Sequence, residues 1–259
     1  MPTQGEKANI FRSLHVKGSP VVLFNVWDAG SAKIVSKAGA RAIATGSAPV
    51  AMANDFGDGQ DLPLELALGN IGRIANAVDL PVTMDIEGAY SENPEMGAAN
   101  MAKAIEAGAV GFNFEDQIVG GSGLHAADVQ SNRIRAARKA CDSTGIGAFI
   151  NARTDVFLKA LKQKLDPTAE MLDEAVMRAE AYMNAGADGF FAPGLHDIEM
   201  IAELCGKTEL PVNMLALPDA PSHSELARAG VARISYGSVG YLRMSDWLQK
   251  HAEAVLADR

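Results

Sequence analysis

Two short apolar patterns alternate along the chain, and each indicates a buried strand. The first follows an Ala-Gly pair at the end of a helix-like stretch, in the segments 37–46, 106–115, 184–193 and 228–237. The second contains a Pro just before an apolar run, in the segments 19–24, 80–84 and 210–214. Gly accepts the left-handed backbone that follows many helices, and Pro is tolerated at the start of a strand. The patterns therefore predict repeated helix–strand units.

Eight strands are predicted, with amphipathic helical stretches between them. They lie near 20–25, 41–45, 81–86, 109–114, 147–152, 187–191, 210–214 and 231–235. Strands that alternate with helices pair in parallel, and eight such units in 259 residues favour a single (β/α)₈ TIM-type barrel over residues 1–259. A doubly wound open sheet is the alternative, but no Gly-x-Gly-x-x-Gly follows the first strand. An extra N-terminal helix is expected over 7–16 and a closing C-terminal helix over 239–256.

The composition narrows the partners and the compartment. Hydrophobic residues make up 48% of the chain, charged residues 21%, and the net charge is −9, which disfavours nucleic acid and anionic membranes as partners. Cys141 and Cys205 show no pairing pattern and are expected to be reduced core thiols. We find no signal peptide and no apolar run long enough for a membrane span, so a cytoplasmic protein is expected.

Polar residues collect where the predicted strands end. The strand ends carry Asn25, Asp28, Thr45, Ser47, Asp85, Glu87, Asn113, Glu115, Asp116, Asn151, Arg153, Asp155, Asn213, Ser235 and Tyr236. The opposite ends carry Gly, Ala and Pro. Because barrel enzymes place their chemistry at the carboxyl ends of the strands, this asymmetry favours an enzyme.

Asp85 and Glu87 are the most informative of these residues. They close the apolar run 80–84, and strand alternation predicts that both side chains point the same way. Two neighbouring buried carboxylates repel each other, and a divalent cation such as Mg²⁺ is the simplest remedy. Glu115, from the next strand, could join this metal site. The alternative is a strand end whose acids are solvated or cap the next helix.

Three further positions complete the candidate chemistry. Asp58, in the 57–59 loop, is a fourth candidate metal ligand, or a plain turn residue. Arg153 suits capture of a carboxylate or phosphonate, or forms an ion pair with Asp155. Ser47 and the amides after it could bind a second anionic group. A cation and an arginine acting on a 2-oxo acid would stabilise an enolate.

The chain resembles the isocitrate lyase/phosphoenolpyruvate mutase superfamily over nearly its full length. The matching segments, in order, are 44–48 (ATGSA), 58–61 (DGQD), 80–87 (LPVTMDIE), 113–117 (NFEDQ), 151–155 (NARTD), 192–194 (APG), 210–213 (LPVN) and 233–235 (RIS). The resemblance implies a (β/α)₈ barrel that requires Mg²⁺, with Mn²⁺ as a substitute. It also implies a homotetramer, a dimer of helix-swapped dimers in which the last helix is exchanged between subunits. A homodimer is the simpler alternative.

The resemblance also assigns roles to individual residues. Asp85 would be the metal ligand, with the other predicted acids, Asp58, Glu87 and Glu115, around it, mostly through water. Ser47, Ala48, Arg153 and Asn213 would hold the oxygens of the substrate, a small 2-oxo or 2-hydroxy carboxylate. Arg153, Glu115, Asp58 and His125 are the catalytic candidates. Tyr236 is expected to shape the substrate pocket, with core packing as the alternative.

The segment 115–125 departs from the superfamily pattern. Isocitrate and methylisocitrate lyases carry Lys-Lys/Arg-Cys-Gly-His in a lid after the fourth strand. Here Gly123 occupies the position of the catalytic Cys, and Gly121 and Ser122 replace the basic pair. His125 alone remains, as a substrate contact or as a surface imidazole. The Lys and Asn-Ser of the phosphonomutase lid are absent as well.

Three functions follow from these residues. The first is a Mg²⁺-dependent lyase that cleaves a C–C bond of a 2-oxo or 2-hydroxy diacid through a metal-stabilised enolate, for example an oxaloacetate decarboxylase. Decarboxylation needs only enolate stabilisation, so a lid without Cys suffices. The second is P–C bond chemistry on a phosphonate, as in phosphoenolpyruvate mutase. The third is a non-catalytic barrel that binds a 2-oxo acid.

Overall fold

Eight parallel strands form the ring of a (β/α)₈ barrel in the computed structural model, which describes residues 2–218 and 220–257. The strands are β1 (Val21–Leu23), β2 (Ile43–Ala44), β3 (Val82–Asp85), β4 (Gly111–Glu115), β5 (Phe149–Arg153), β6 (Gly189–Phe191), β7 (Val212–Leu215) and β8 (Arg233–Ser235). All eight predicted strands are confirmed, although they begin or end one or two residues away from the prediction. The open-sheet alternative was wrong because β1 pairs with β8 on one side and the chain just after it forms a bridge to the chain just after β2 on the other.

Eleven helices surround the ring in the described ranges. They are α1 (Gln4–Ser13), α2 (Ala29–Lys37), α3 (Ser47–Met52), α4 (Leu64–Ala77), α5 (Pro94–Glu106), α6 (Ala127–Ser143), α7 (Val156–Lys162), α8 (Ala169–Asn184), α9 (Ile198–Lys207), α10 (His223–Arg228) and α11 (Val239–Ala257). The glycines predicted to end helices have left-handed backbone, as at Gly108 with a φ of 113°. None of the described helices is long and apolar enough to cross a membrane.

The ring has a narrow seam between β1 and β2. Within the described chain these strands meet at a single bridge between Val26 and Thr45, beyond the end of each strand. The side chain of Asn25 reinforces the seam: its Nδ2 donates to the Thr45 carbonyl at 2.8 Å. Its Oδ1 accepts from the backbone amides of Tyr236 and Gly237, both at 2.9 Å. Asn25 therefore ties β1 to both of its neighbours.

Helix α1 closes the amino-terminal end of the barrel. It begins at Gln4, three residues earlier than predicted, because Thr3 and Glu6 form a capping box. Phe11 is fully buried and packs edge-on against Phe149, with 5.6 Å between ring centroids. The chemistry is thereby confined to the opposite, carboxyl end of the strands.

Helix α11 contrasts with the rest of the structure because almost all of it is exposed. Gly240 is the only buried residue among its described positions. Several large apolar side chains are exposed on it, and Trp247 is 61% exposed. The helix predicted over 239–256 is confirmed, but within one chain its apolar side chains have little to pack against.

Candidate active site

A cavity of about 370 Å³, here called the mouth cavity, opens at the carboxyl ends of the strands. Several of the predicted site residues line it, namely Ser47, Ala48, Asp58, Asp85, Arg153 and Tyr236. The polar strand-end residues Asn25, Asn113 and Ser235 line it as well. Strand polarity, which the sequence pattern indicated, therefore brings these side chains from distant parts of the chain to one place.

Glu87 lies in a turn beyond β3, so the prediction that it shares one strand with Asp85, and points the same way for that reason, was wrong. β3 ends at Asp85, and Glu87 has a left-handed φ of 53°. The buried Arg133 of α6 holds this turn, since its Nη2 donates to the carbonyls of Gly88 at 2.6 Å and Ser91 at 3.0 Å. Asp85 and Glu87 still line one small pocket beside the mouth cavity.

Burial raises the pKa of three carboxyl groups at this site, those of Asp85, Glu87 and Glu115. Desolvation raises the pKa of Glu87 to about 9, and the negative charges of Glu115, Asp85 and Asp58 add to the rise. Burial likewise raises the pKa of Glu115 to about 8, although Arg153 opposes it. The pKa of Asp85 is also raised by burial. The four predicted acids are thus close enough to repel one another, and a cation among them would relieve that repulsion.

Arg153 is surrounded by acids. Its Nε and Nη2 donate to the two carboxylate oxygens of Asp155 at 2.6 and 2.8 Å. Its Nη1 lies 2.9 Å from Glu115 Oε2 and 4.0 Å from Asp85 Oδ2. Burial alone would lower the pKa of Arg153, but these negative charges raise it. The ion pair with Asp155 is therefore present, and the guanidinium still lines the mouth cavity, where an anion could meet it.

The residues fit a magnesium ion that has few protein ligands. Asp85 Oδ1 is buried and has no hydrogen-bond partner among the described residues. The described chain contains no group of three His, Cys, Asp or Glu side chains arranged to enclose a metal. Mg²⁺ often takes one or two carboxylates and completes its coordination with water and substrate oxygens. Asp85 could hold such an ion directly, and Glu87, Glu115 and Asp58 could hold it through water.

Four predicted residues do not line the mouth cavity, namely Glu87, Glu115, His125 and Asn213. His125 lines a separate cavity of about 160 Å³ together with Tyr90 and Arg133. The segment before it folds as a small hairpin, with a bridge between Gln117 and Leu124. Asn213 is buried, and its Oδ1 accepts a hydrogen bond from Ser235 Oγ at 3.2 Å. His125 therefore lies at the end of the 117–125 hairpin and lines a cavity that Asp85 does not line.

Sequence reasoning missed two residues that contact this site. His223, exposed on α10, lies with Nε2 2.9 Å from the Tyr236 hydroxyl, and nothing in its local sequence indicated this contact. Arg233 is fully buried inside the barrel and contacts Asn113 and Ser235. A signal for Arg233 was available, because it is a charged residue in the middle of a predicted apolar strand.

The sequence profile of the phosphoenolpyruvate phosphomutase family matches residues 11–256. The chain belongs to this family. The superfamily resemblance seen in the sequence is therefore confirmed. A solved structure from Burkholderia cenocepacia J2315, described as a candidate phosphonomutase, is 46% identical with a TM-score of 0.94, covering 97% of this chain and 99% of that one. An uncharacterised Mycobacterium tuberculosis protein is 34% identical, over 89% of this chain and 83% of its own length.

Relatives with named activities include lyases and a decarboxylase. The 2-methylisocitrate lyase of Escherichia coli is 27% identical over 87% of this chain and 76% of its own length. The oxaloacetate decarboxylase of Pseudomonas entomophila is 26% identical over 89% and 78%. A phosphonopyruvate hydrolase solved with oxalate and Mg²⁺ shares the fold, with a TM-score of 0.84 at 20% identity over 97% of this chain and 87% of that one. Members of this superfamily are thus enzymes, lyases or mutases.

Proposed function

We propose that this protein is a Mg²⁺-dependent lyase that cleaves a C–C bond of a small 2-oxo or 2-hydroxy carboxylate through an enolate. The buried Asp85 Oδ1, without a partner and among repelling carboxylates, carries the proposal. Such an oxygen needs a cation, and a hard divalent ion is the usual answer for an all-oxygen site. Mn²⁺ would substitute for Mg²⁺ at these oxygens. When bound, the ion would polarise the 2-oxo group of the substrate.

The side chains of the mouth cavity supply the remaining functions. Arg153 presents a permanent positive charge to the substrate carboxylate, and Asp155 holds the guanidinium in one orientation. Ser47 and Ala48, at the start of α3, place backbone amides at the cavity wall. A cavity of about 370 Å³ suits a molecule of this size. Together these groups bind and orient a small dianion.

Carbon–carbon cleavage is favoured by the absence of the phosphonomutase lid residues from the 117–125 segment, and two relatives named above cleave C–C bonds. P–C bond chemistry on a phosphonate is the second candidate, supported by the description of the 46% identical structure. Phosphorus NMR of phosphonopyruvate incubated with the protein and Mg²⁺ separates the two. An unchanged spectrum would eliminate the phosphonate candidate.

The first assay uses oxaloacetate with Mg²⁺ and a coupled measurement of pyruvate, after subtraction of the rate with Mg²⁺ alone. We expect turnover by the wild type and a loss of at least about 100-fold in Asp85→Ala, because the variant loses an electrostatic stabiliser at the reacting oxygen. Asp79→Ala, which removes an exposed acid before β3, is the matched control. Equal rates for Asp85→Ala and the wild type would contradict the proposal. Calorimetric binding of 2-oxo acids without turnover across a substrate panel would favour a non-catalytic barrel.

We also propose that α11 packs against a second copy of this chain, within a homotetramer of helix-swapped dimers or within a homodimer. The support is the exposure of its apolar side chains, namely Leu242, Trp247, Leu248, Val255 and Leu256, each more than half exposed. Because Gly240 is the only buried residue among the 19 of this helix, these apolar side chains remain exposed within the single chain.

A further inference from the structure

Arg233 is a buried cation whose hydrogen-bond partners are neutral. It lies in β8 inside the barrel and is fully buried. Its Nη2 donates to Asn113 Oδ1 at 3.0 Å, and its Nε donates to Ser235 Oγ at 3.2 Å. Its Nη1 has no partner among the described residues. A buried charge costs free energy unless an opposite charge or hydrogen bonds compensate it, so we expect an arginine at this position to have a function.

The contact with Asn113 fixes the orientation of that amide. A guanidinium only donates hydrogen bonds, so Asn113 has to present its oxygen to Arg233. Asn151 Nδ2 donates to the same oxygen at 3.0 Å, which occupies its second lone pair. The Nδ2 group of Asn113 is then left as a donor without an acceptor in the described chain, on a side chain that lines the mouth cavity.

A second set of contacts runs from Arg233 through Ser235 to Asn213. Because Ser235 Oγ accepts from Arg233, its single hydrogen is free to be donated elsewhere, and it goes to Asn213 Oδ1 at 3.2 Å. Asn213 therefore also presents its oxygen towards Arg233, through the hydroxyl of Ser235. Its Nδ2 is buried and has no partner among the described residues. One arginine thus orients two amides in the same sense.

We propose that Arg233 is a positioning residue: it fixes the Asn113 amide so that the two N–H donors of its Nδ2 group face the mouth cavity and can donate to an oxygen of the bound acid, while it orients the buried Asn213 only indirectly, through Ser235. This inference rests on the proposed function for the class of ligand and adds its contacts and its selectivity. An oxo or carboxylate oxygen accepts from these donors. An ammonium group in the same place would meet N–H groups and leave its own hydrogens unpaired, so a 2-oxo acid is selected over the corresponding 2-amino acid.

Asn113→Asp tests the donor directly while preserving the fold. One carboxylate oxygen keeps the contact with Arg233, now as an ion pair, and the other replaces the donor nitrogen. We expect the affinity for oxalate or oxomalonate in the presence of Mg²⁺, measured by calorimetry, to fall at least about tenfold. Asn113→Leu should also weaken binding, which separates loss of the donor from added negative charge. Asn132→Asp, the same change beside Arg135 on the exposed face of α6, should bind as the wild type does.

Arg233→Met tests the positioning role. Arg233 makes no contact with the ligand in this proposal, yet its loss frees both amides to rotate, so the affinity should fall. In the double variant with Asn113→Leu, the loss should be smaller than the product of the two single losses, since Arg233 acts partly through Asn113. If the losses of affinity in the two single variants multiply in the double variant, Arg233 has a general structural role, and the proposed positioning of Asn113 is overturned.

The outcomes separate this inference from the proposed function. A wild type that binds neither oxalate nor oxomalonate contradicts the proposed function itself. A wild type that binds while both Asn113 variants bind equally well overturns the inference and leaves the function standing. If Arg233→Met fails to fold, as judged by its circular dichroism, the Asn113 variants decide the question alone.

Discussion

Arg153 is the residue on which the charge balance of the site depends. It is the cation shared by Glu115 and Asp155, and all three side chains are at least 85% buried. Removing one partner of a buried ion pair leaves the others uncompensated, which costs far more than an exposed pair contributes. The residue is therefore expected to matter for folding as well as for substrate binding.

Arg153→Met should lower the free energy of unfolding by about 3–5 kcal/mol, because the apolar side chain leaves Glu115 and Asp155 without a counter-charge. Urea denaturation at neutral pH without added metal measures it. Arg135→Met removes an exposed arginine from α6 and should change stability by less than about 0.5 kcal/mol. An equally small effect for Arg153→Met would show that the cluster is solvated in solution.

At the scale of single residues, the sequence predicted which residues belong to the site better than it predicted how each side chain reaches it. Asp85 and Arg153 were placed correctly because strand polarity alone decides which end of the barrel they occupy. Glu87 reaches the site through a left-handed turn held by Arg133, a residue 46 positions away, and no local pattern encodes that contact. Arg233 was missed as a site residue because its segment was predicted as an apolar strand and its charge was given no role.

The contact between α1 and β4 shows how an added helix depends on one small residue. A Cβ atom on Gly111 would lie 2.8 Å from Phe11 Cε1 and 3.1 Å from Thr83 Oγ1. Atoms at these distances overlap, so the aromatic ring and its helix can close the barrel only because this strand position lacks a side chain.

Gly111→Ala should therefore destabilise the protein by about 1–3 kcal/mol through overpacking, measured by thermal or urea unfolding. Combining it with Phe11→Leu should recover part of the loss, since the smaller side chain gives the new methyl group room. Gly5→Ala in α1 is the control, because no atom lies within 4 Å of the added Cβ. That change should be neutral or stabilising by up to about 1 kcal/mol. Equal effects of the two alanines would contradict this description.

His15, just after α1, makes the stability of this closure depend on pH. Burial lowers the pKa of His15 to about 3, with the positive charge of Arg233 adding to the shift. The ring stacks on Phe149 with 4.2 Å between centroids. Since the folded state holds the neutral ring, the stability that His15 contributes is fully present above pH 6.5 and is lost as the pH falls from there towards 3.

Between pH 7 and pH 5.5 the wild type should lose about 1 kcal/mol more stability than His15→Phe, which cannot take up a proton. Urea unfolding of both proteins at the two pH values gives the difference, in which the titration of the carboxyl groups cancels. Parallel pH profiles would mean that His15 is protonated in the folded state as readily as in the unfolded chain.

For the whole molecule, the periodic pattern was sufficient to predict the architecture. Eight strand-forming segments, each preceded by a helix, favour the barrel among parallel arrangements, so the barrel was predicted without knowledge of any long-range contact. The pattern carried less information about α11. Its apolar residues predicted a helix, but the pattern does not identify what those residues pack against.

The association of copies through α11 can be tested by light scattering. The wild type should have a mass above the 27.2 kDa of one chain, and the double variant Trp247→Glu, Leu248→Glu should shift towards that value. Burying two charges in an apolar interface is costly, which is why dissociation is expected. Met177→Glu, at an exposed apolar position on α8, should leave the mass unchanged. A wild type that measures 27.2 kDa would contradict the proposed assembly.

The seam between β1 and β2 affects how the substrate range of this protein can change in evolution. Asn25 lines the mouth cavity and at the same time fastens β2 and β8 to β1. A substitution there alters the closure of the ring together with the surface that a ligand meets. Leu158 and Leu217 line the same cavity with apolar side chains that make no hydrogen bond to the ring. Variation in substrate size can accumulate at such positions without loosening the barrel, whereas Asn25 is constrained by two roles at once.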